Sequence, residues 1–296
     1  MGNGRIKKTA ILLSTALLVT GCSGGNTAVE ELSADTAFYT YPVGNAVTFD
    51  VSGDGTVYTI ESENGDLLCS YTLSGERSEI AELPQKTDSI AFSDGRIYYT
   101  QTVDDGTEIC YIDVSTADSE KLCVLSGLWQ IKNLDIAGGN AYIIGSDDTR
   151  SGVQGEFSDQ FGTYSYNGEM LYRVSLENGE ATASPVEFPQ AFCADEQGVT
   201  VYAADADGYY FTDFDGSRKQ YNDIGNLTAL EKCGDKLMFY SDTKIFKLCS
   251  GSENSEDGIA EALENVIMLS GNDLRYCGGY GFVLNRYGEF NGSRLE

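Results

Sequence analysis

From about Ala37 onward the chain alternates apolar and polar residues over short runs that break at glycine-containing turns. Alternation with period 2 predicts β-strands, and no stretch sustains the 3.6-residue period that would stack helical repeats. One unit recurs: an alternating strand, a glycine turn, an aromatic strand, a second turn and two further alternating stretches. Its clearest copy runs Asp88–Thr100, Glu108–Val114 and Glu120–Leu125; the copy before it is Ala46–Ile60, Leu67–Leu73 and Glu79–Leu83. A third begins at Leu134–Ile144 and resumes at Glu169–Leu176, a fourth takes Phe192–Ala203 and Gly208–Phe214, and a fifth takes Leu227–Leu230, Lys236–Tyr240 and Lys244–Cys249. A sixth starts at Ile267 and reaches Gly281–Asn285. The turn glycines before the aromatic strands are Gly55, Gly95, Gly139, Gly198, Gly234 and Gly279, at gaps of 40, 44, 59, 36 and 45 residues. The alternation predicts half-buried strands with one face inward and one outward. Gly258–Val266 matches Ser78–Leu83 in pattern and is expected to be an outer strand of the fifth copy.

Units of about 40–50 residues with four such strands are the blades of a β-propeller. The expectation is therefore an all-β chain, a propeller of about six four-stranded blades. The sixth copy lacks its outer two strands, and Phe290–Glu296 shows no capping pattern. Ala37–Val43 reads as a strand able to supply one partner, so the last blade is expected to be incomplete or closed by that N-terminal strand, or the chain to be the front part of a longer protein. The Gly-x-Val/Ile-Tyr of residues 55–58 and 95–98, with the Tyr-x-Asp of 111–113, resembles the PQQ-like and WD40-like propellers at the level of architecture. No WD dipeptide accompanies it.

The first 21 residues follow a different logic. Arg5, Lys7 and Lys8 precede the apolar run Ala10–Val19, which has the length of a signal-peptide core and about half that of a membrane span. Val19-Thr20-Gly21-Cys22 then resembles the lipobox of bacterial lipoproteins. That resemblance implies cleavage before Cys22 and attachment of a diacylglycerol to its sulfur, so that the membrane is a partner through lipid. The expected organisation is a signal peptide over 1–21, a flexible polar tether over 22–36 and a propeller over 37–296. Ser23 after the lipid cysteine differs from the aspartate of inner-membrane retention, so the expected location is extracytoplasmic, on the cell membrane or the outer membrane.

Charge narrows the partners. Lys+Arg total 19 against 46 Asp+Glu, a formal net charge of −27, which becomes −30 once the three cations of residues 1–21 are removed. Such a field repels nucleic acid and anionic headgroups. The chain has no histidine, which removes Ser-His and Cys-His nucleophiles and His-ligated metals. Besides Cys22 there are Cys69, Cys110, Cys123, Cys193, Cys233, Cys249 and Cys277, an odd number without Cys-x-x-Cys spacing, expected as small buried thiols. The Asp-Gly turns do not make calcium loops: with Gly208 or Gly216 in sixth place, Ala203 or Phe211 falls first and Phe214 or Asn222 twelfth. No metal and no cofactor are expected.

The remaining irregularity is the polar insertion Ser146–Asn167, carrying Phe157, Phe161, Tyr164 and Tyr166 among Asp, Gln and Asn residues. These four are the candidate contacts to a protein or carbohydrate of the envelope. Their alternative is a long hairpin packed on a neighbouring blade. The expected function is a non-catalytic binding or scaffolding lipoprotein, not an enzyme. Anchor and fold together resemble solute-binding and envelope-assembly lipoproteins, among them the propeller lipoprotein of the outer-membrane β-barrel assembly machine. The alternative is an exported carbohydrate-active enzyme working through paired carboxylates.

Overall fold

The computed structural model describes residues 38–294 except 43–45, 63–65, 84–85, 148–153, 159–162, 223–226, 228, 234–235, 242–243, 249–270 and 286–288. Cys22, the leader, the tether, Cys249, Phe161 and the segment 258–266 lie outside the described residues.

After a first strand, β1 (Phe38–Pro42), the chain lays down four-stranded antiparallel meanders in succession. Blade 1 is β2 (Ala46–Val51), β3 (Val57–Ser62), β4 (Asp66–Tyr71) and β5 (Arg77–Leu83). Blade 2 is β6 (Thr87–Ser93), β7 (Arg96–Val103), β8 (Gly106–Asp113) and β9 (Ser119–Ser126). Blade 3 opens with β10 (Leu128–Ala137) and β11 (Asn140–Asp147), is interrupted by the ribbon β12 (Gln154–Ser158) and β13 (Thr163–Asn167), and finishes with β14 (Glu169–Ser175) and β15 (Ala181–Ala183). Blade 4 is β16 (Pro189–Asp195), β17 (Gly198–Asp205), β18 (Gly208–Thr212) and β19 (Gln220–Asn222). Blade 5 shows β20 (Ala229–Cys233), β21 (Lys236–Ser241) and β22 (Lys244–Leu248). Blade 6 is β23 (Gly271–Cys277), β24 (Tyr280–Asn285) and β25 (Glu289–Arg294), with β1 added outside β25. The first strands of successive blades touch in turn, β2 to β6 to β10 to β16 to β20 to β23, and β23 returns to β2. The fold is a closed six-bladed β-propeller.

Closure departs from the sequence expectation in one respect. The sixth blade does not lack two strands: the C-terminal residues without an evident pattern are its third strand, and β1 is its fourth, paired Phe38↔Ser293 through Pro42↔Glu289. Each terminus covers an edge the other would leave open. Gly292 makes the fit possible, because a Cβ there would stand 2.2 Å from the Phe282 ring.

Burial also differs from simple alternation. β3 and β7 each bury five consecutive residues, while β15 is exposed throughout. The reason is radial packing: a second or third strand lies between two neighbouring blades, so both of its faces are covered. The core is accordingly a set of layers between blades. Tyr58, Ile60 and Leu68 meet Ile90, Ile97 and Tyr99 between blades 1 and 2. Phe49 and Val57 meet Phe282 and Leu284 between blades 1 and 6. Tyr58 stacks on Phe92 with centroids 4.9 Å apart, an offset aromatic contact across the first of these seams.

The blade 6 to blade 1 seam is tightest at its inner hairpins. Gly278 sits at φ +57° with the Gly53 carbonyl oxygen 2.1 Å from where a Cβ would stand. Gly278→Ala would both strain the backbone and push the closing blade off its neighbour. It is expected to cost about 2 kcal/mol or more, read as a lower urea midpoint with an unchanged m-value.

Candidate functional site

An inner strand has hydrogen-bond partners on one side only, so its other edge faces the axis with unpaired backbone groups. The register identifies one equivalent position per blade, just ahead of the inner hairpin: Asp50 opposite Tyr58, Ala91 opposite Tyr98, Asp135 opposite Tyr142, Cys193 opposite Thr200, Glu231 opposite Met238 and Arg275 opposite Phe282. These six form a ring around the axis.

Two members of the ring repeat one geometry. Asp50 accepts the Val51 N–H at 2.8 Å on Oδ1 and the Phe92 N–H of blade 2 at 2.5 Å on Oδ2. Asp135 accepts the Ile136 N–H at 2.8 Å on Oδ1 and the Ala194 N–H of blade 4 at 2.7 Å on Oδ2. Each carboxylate thus satisfies the free edge of the next blade. Ala91 and Cys193 cannot do so. Arg275, 6% exposed, does something larger. Its Nη1 donates to Glu231 Oε1 of blade 5 at 2.8 Å and its Nη2 donates to Asn133 Oδ1 of blade 3 at 3.0 Å. Its Nε lies 3.5 Å from Asp50 Oδ1 of blade 1. One guanidinium therefore spans the axis and touches four blades.

Asp50, Asp135 and Glu231 lie around this guanidinium, and their burial shows in the acidity of Asp135 and Glu231. Burial, with Asp50 nearby and Arg275 opposing, pushes Asp135 up to about 7. Burial also drives Glu231 well above the usual carboxylate range, against the pull of Arg275 and with the push of Asp135 and Asp50. Burial likewise raises the Cys193 thiol far above its ordinary value, so it is an inert thiol and no nucleophile. A carboxyl that exchanges its proton near neutrality, as Asp135 does, beside a fixed guanidinium can act as acid or base or hold a polar group of a ligand. Among the described residues no group of His, Cys, Asp and Glu is arranged to hold a metal ion.

The insertion in blade 3 is a β-ribbon, paired Gln154↔Asn167 through Ser158↔Thr163. It joins the second and third strands of its blade, so it leaves from the face of the ring opposite the inner hairpins, where successive blades are also linked. Its register sets position 157 opposite 164 and position 166 opposite 155, which puts 157, 164 and 166 on one side of the ribbon. The long-hairpin form is as the sequence allowed. The ribbon and the Asp135 ring lie toward opposite ends of the inner strands and are separate features.

The acidic turns are engaged by protein groups, at Asp54 and Asp213 from their own loops and at Asp205 from further along blade 4. Asp54 accepts from Ser52 Oγ at 2.6 Å and the Thr56 N–H, which lowers its pKa. Asp213 accepts from Ser217 Oγ at 2.5 Å, and Asp205 from Lys219 Nζ at 2.6 Å and Tyr221. Cys69, Cys110, Cys123, Cys193 and Cys277 are free thiols.

Sequence reasoning passed over the ring. A signal exists: Phe49-Asp50, Leu134-Asp135, Leu230-Glu231 and Leu274-Arg275 all place a charge directly after a large apolar residue, three positions before a glycine. Only alignment on the hairpins, and not on the aromatic strands, brings them together.

No protein-family model matches the chain, and no curated protein matches it in sequence. Solved structures do match in shape. A putative oxidoreductase (glucose dehydrogenase) of Thermus thermophilus has TM-score 0.57 at 12% identity, over 87% of this chain and 100% of that one. The PQQ-bound aldose sugar dehydrogenase of Streptomyces coelicolor has TM-score 0.56 at 9% identity, over 89% and 99%. A luciferin-regenerating enzyme has TM-score 0.54 at 10% identity, over 87% and 95%. These likenesses establish the propeller. They also correct the expectation that the chain is not an enzyme: propellers of this shape carry catalysis, so a missing histidine and the absence of nucleophile motifs do not support that exclusion.

Proposed function

We propose that the chain is an exported propeller, held to the cell envelope by lipid on Cys22, that binds an envelope glycan through the ribbon of blade 3. The observation that carries this reading is the ribbon itself, the insertion that separates blade 3 from its four-stranded neighbours. Its sequence combines Phe157, Phe161, Tyr164 and Tyr166 with Asp, Gln and Asn, the pairing of ring faces and hydrogen-bonding groups that sugars require. Binding through polar and aromatic contacts also suits a body whose net charge disfavours anionic partners.

A second reading, catalysis on a glycan at the axis, is favoured by Asp135 titrating near 7 beside Glu231 and Asp50.

The test is a glycan panel incubated with the full chain and with a variant whose residues 154–167 are replaced by a short Gly-Ser link. Retention lost in the variant supports binding at the ribbon. Release of reducing ends, abolished by Glu231→Gln, supports the catalytic reading instead. Retention unaffected by the replacement overturns the ribbon as the site. For the anchor, Cys22→Ala is expected to move the protein from the membrane to the soluble fraction without altering its melting temperature; persistent membrane association contradicts a lipid anchor.

A further inference from the structure

The axial ring has a consequence for stability that is independent of any ligand. Every blade contributes to it, and the groups facing the centre can be named strand by strand. β2 supplies Asp50, β6 the Phe92 N–H, β10 Asn133 and Asp135, β16 Cys193 with Asp195 beyond it, β20 Glu231 and Lys232, and β23 Arg275 with Cys277. Lys232 is taken by Asp195 at 2.6 Å, and among the described residues Arg275 is the cation paired with Asp50 and Glu231. Asp50, Asp135 and Glu231 stand close to one another in a largely buried place, where side-chain exposure is 15% at Asp50 and 13% at Glu231 and burial disfavours the ionised forms. With Asp135 and Glu231 protonated, the carboxyls of Asp50 and Asp135 still accept the Phe92 and Ala194 N–H groups, and Arg275 keeps its span.

We propose that the axial cluster is a proton-operated lock on the ring: protons held on Asp135 and Glu231 let Arg275 draw blades 1, 3, 5 and 6 together, and their release loosens the centre. The sign follows from linkage. Asp135 and Glu231 bind protons more tightly in the folded chain than in the unfolded one, so their contribution is fully present below about pH 4, the unfolded carboxylate range, and is lost as pH rises. For Asp135 that loss completes through about 7. An exported protein meets this window directly, since the medium outside the cytoplasm sets its pH.

The experiment is thermal unfolding of the full chain in detergent from pH 5 to 8.5, at fixed ionic strength, for the parent, Asp135→Asn and Glu231→Gln. The parent is expected to lose melting temperature across this range, and each variant to show a shallower dependence, since an amide is neutral throughout. Net negative charge also weakens the fold as pH rises, but it is nearly the same in all three chains, so the difference in slope reads the lock alone. Should a variant fail to fold, infrared spectroscopy of the parent decides: a protonated-carboxyl band at pH 6 that bleaches by pH 8.5 supports the lock. Equal slopes in parent and variants, or no such band at pH 6, overturns it.

Discussion

Arg275→Met is expected to destabilise the propeller by about 3–5 kcal/mol, the cost typical of removing one partner from a buried ion pair. The side chain contacts Glu231, Asn133 and Asp50, and those three come from three other blades. Removing the guanidinium leaves buried carboxyls that must either remain charged without a partner or take up protons. The loss should therefore be larger at pH 8 than at pH 5. Arg275→Lys is expected to recover only part of it, because an ammonium is a point charge and cannot supply the planar fork that reaches blades 3 and 5 together. Urea unfolding at both pH values checks this. A Met variant as stable as the parent would show that the axis is held by the interblade layers alone.

The second large effect concerns closure. A chain that begins at residue 43 lacks β1 and leaves β25 as an open edge. With about 1 kcal/mol net per backbone hydrogen bond, loss of this ladder costs on the order of 5 kcal/mol. The exposed edge is also a template for pairing with another chain. The expected result is a lower melting temperature together with dimers or aggregates on size-exclusion chromatography. A peptide with the sequence Ala37–Val43 added in trans should restore part of both. A shortened chain that remains monomeric and as stable as the parent would mean that blade 6 is complete without its outer strand.

These two effects mark where the sequence could be read and where it could not. The repeat of strand, glycine turn and aromatic strand was legible because blade-forming residues are local: Gly95 serves the turn between β6 and β7, and Ile97, Tyr98 and Tyr99 follow within four positions. β25 was missed because Phe290-Asn-Gly-Ser-Arg294 has little alternation and includes Gly292, whose value lies in letting Phe282 pack against it. The ribbon was visible as an insertion, and its paired strands correspond to the long hairpin that the sequence left as an alternative. The turns around Asp54 and Asp213 were legible as turns because these aspartates serve amides or hydroxyls within four residues of their own loops.

The axial ring was hidden for a different reason. Taken singly, Asp50, Asp135, Glu231 and Arg275 look ordinary among 46 acids and 19 bases, and their shared place three residues before a glycine shows only when the copies are aligned on the inner hairpins. Arg275 and Asn133 stand 142 positions apart. Nothing in either neighbourhood signals the other, and the pairing exists only because six inner strands converge on one axis. The sequence by itself determined the strands, the turns, the repeat and hence the propeller, since each depends on residues within one blade. The tertiary structure alone decided how the ring closes, which charges meet at its centre and how strongly those carboxyls hold their protons, because these depend on burial and on Coulomb fields between groups that only folding brings together.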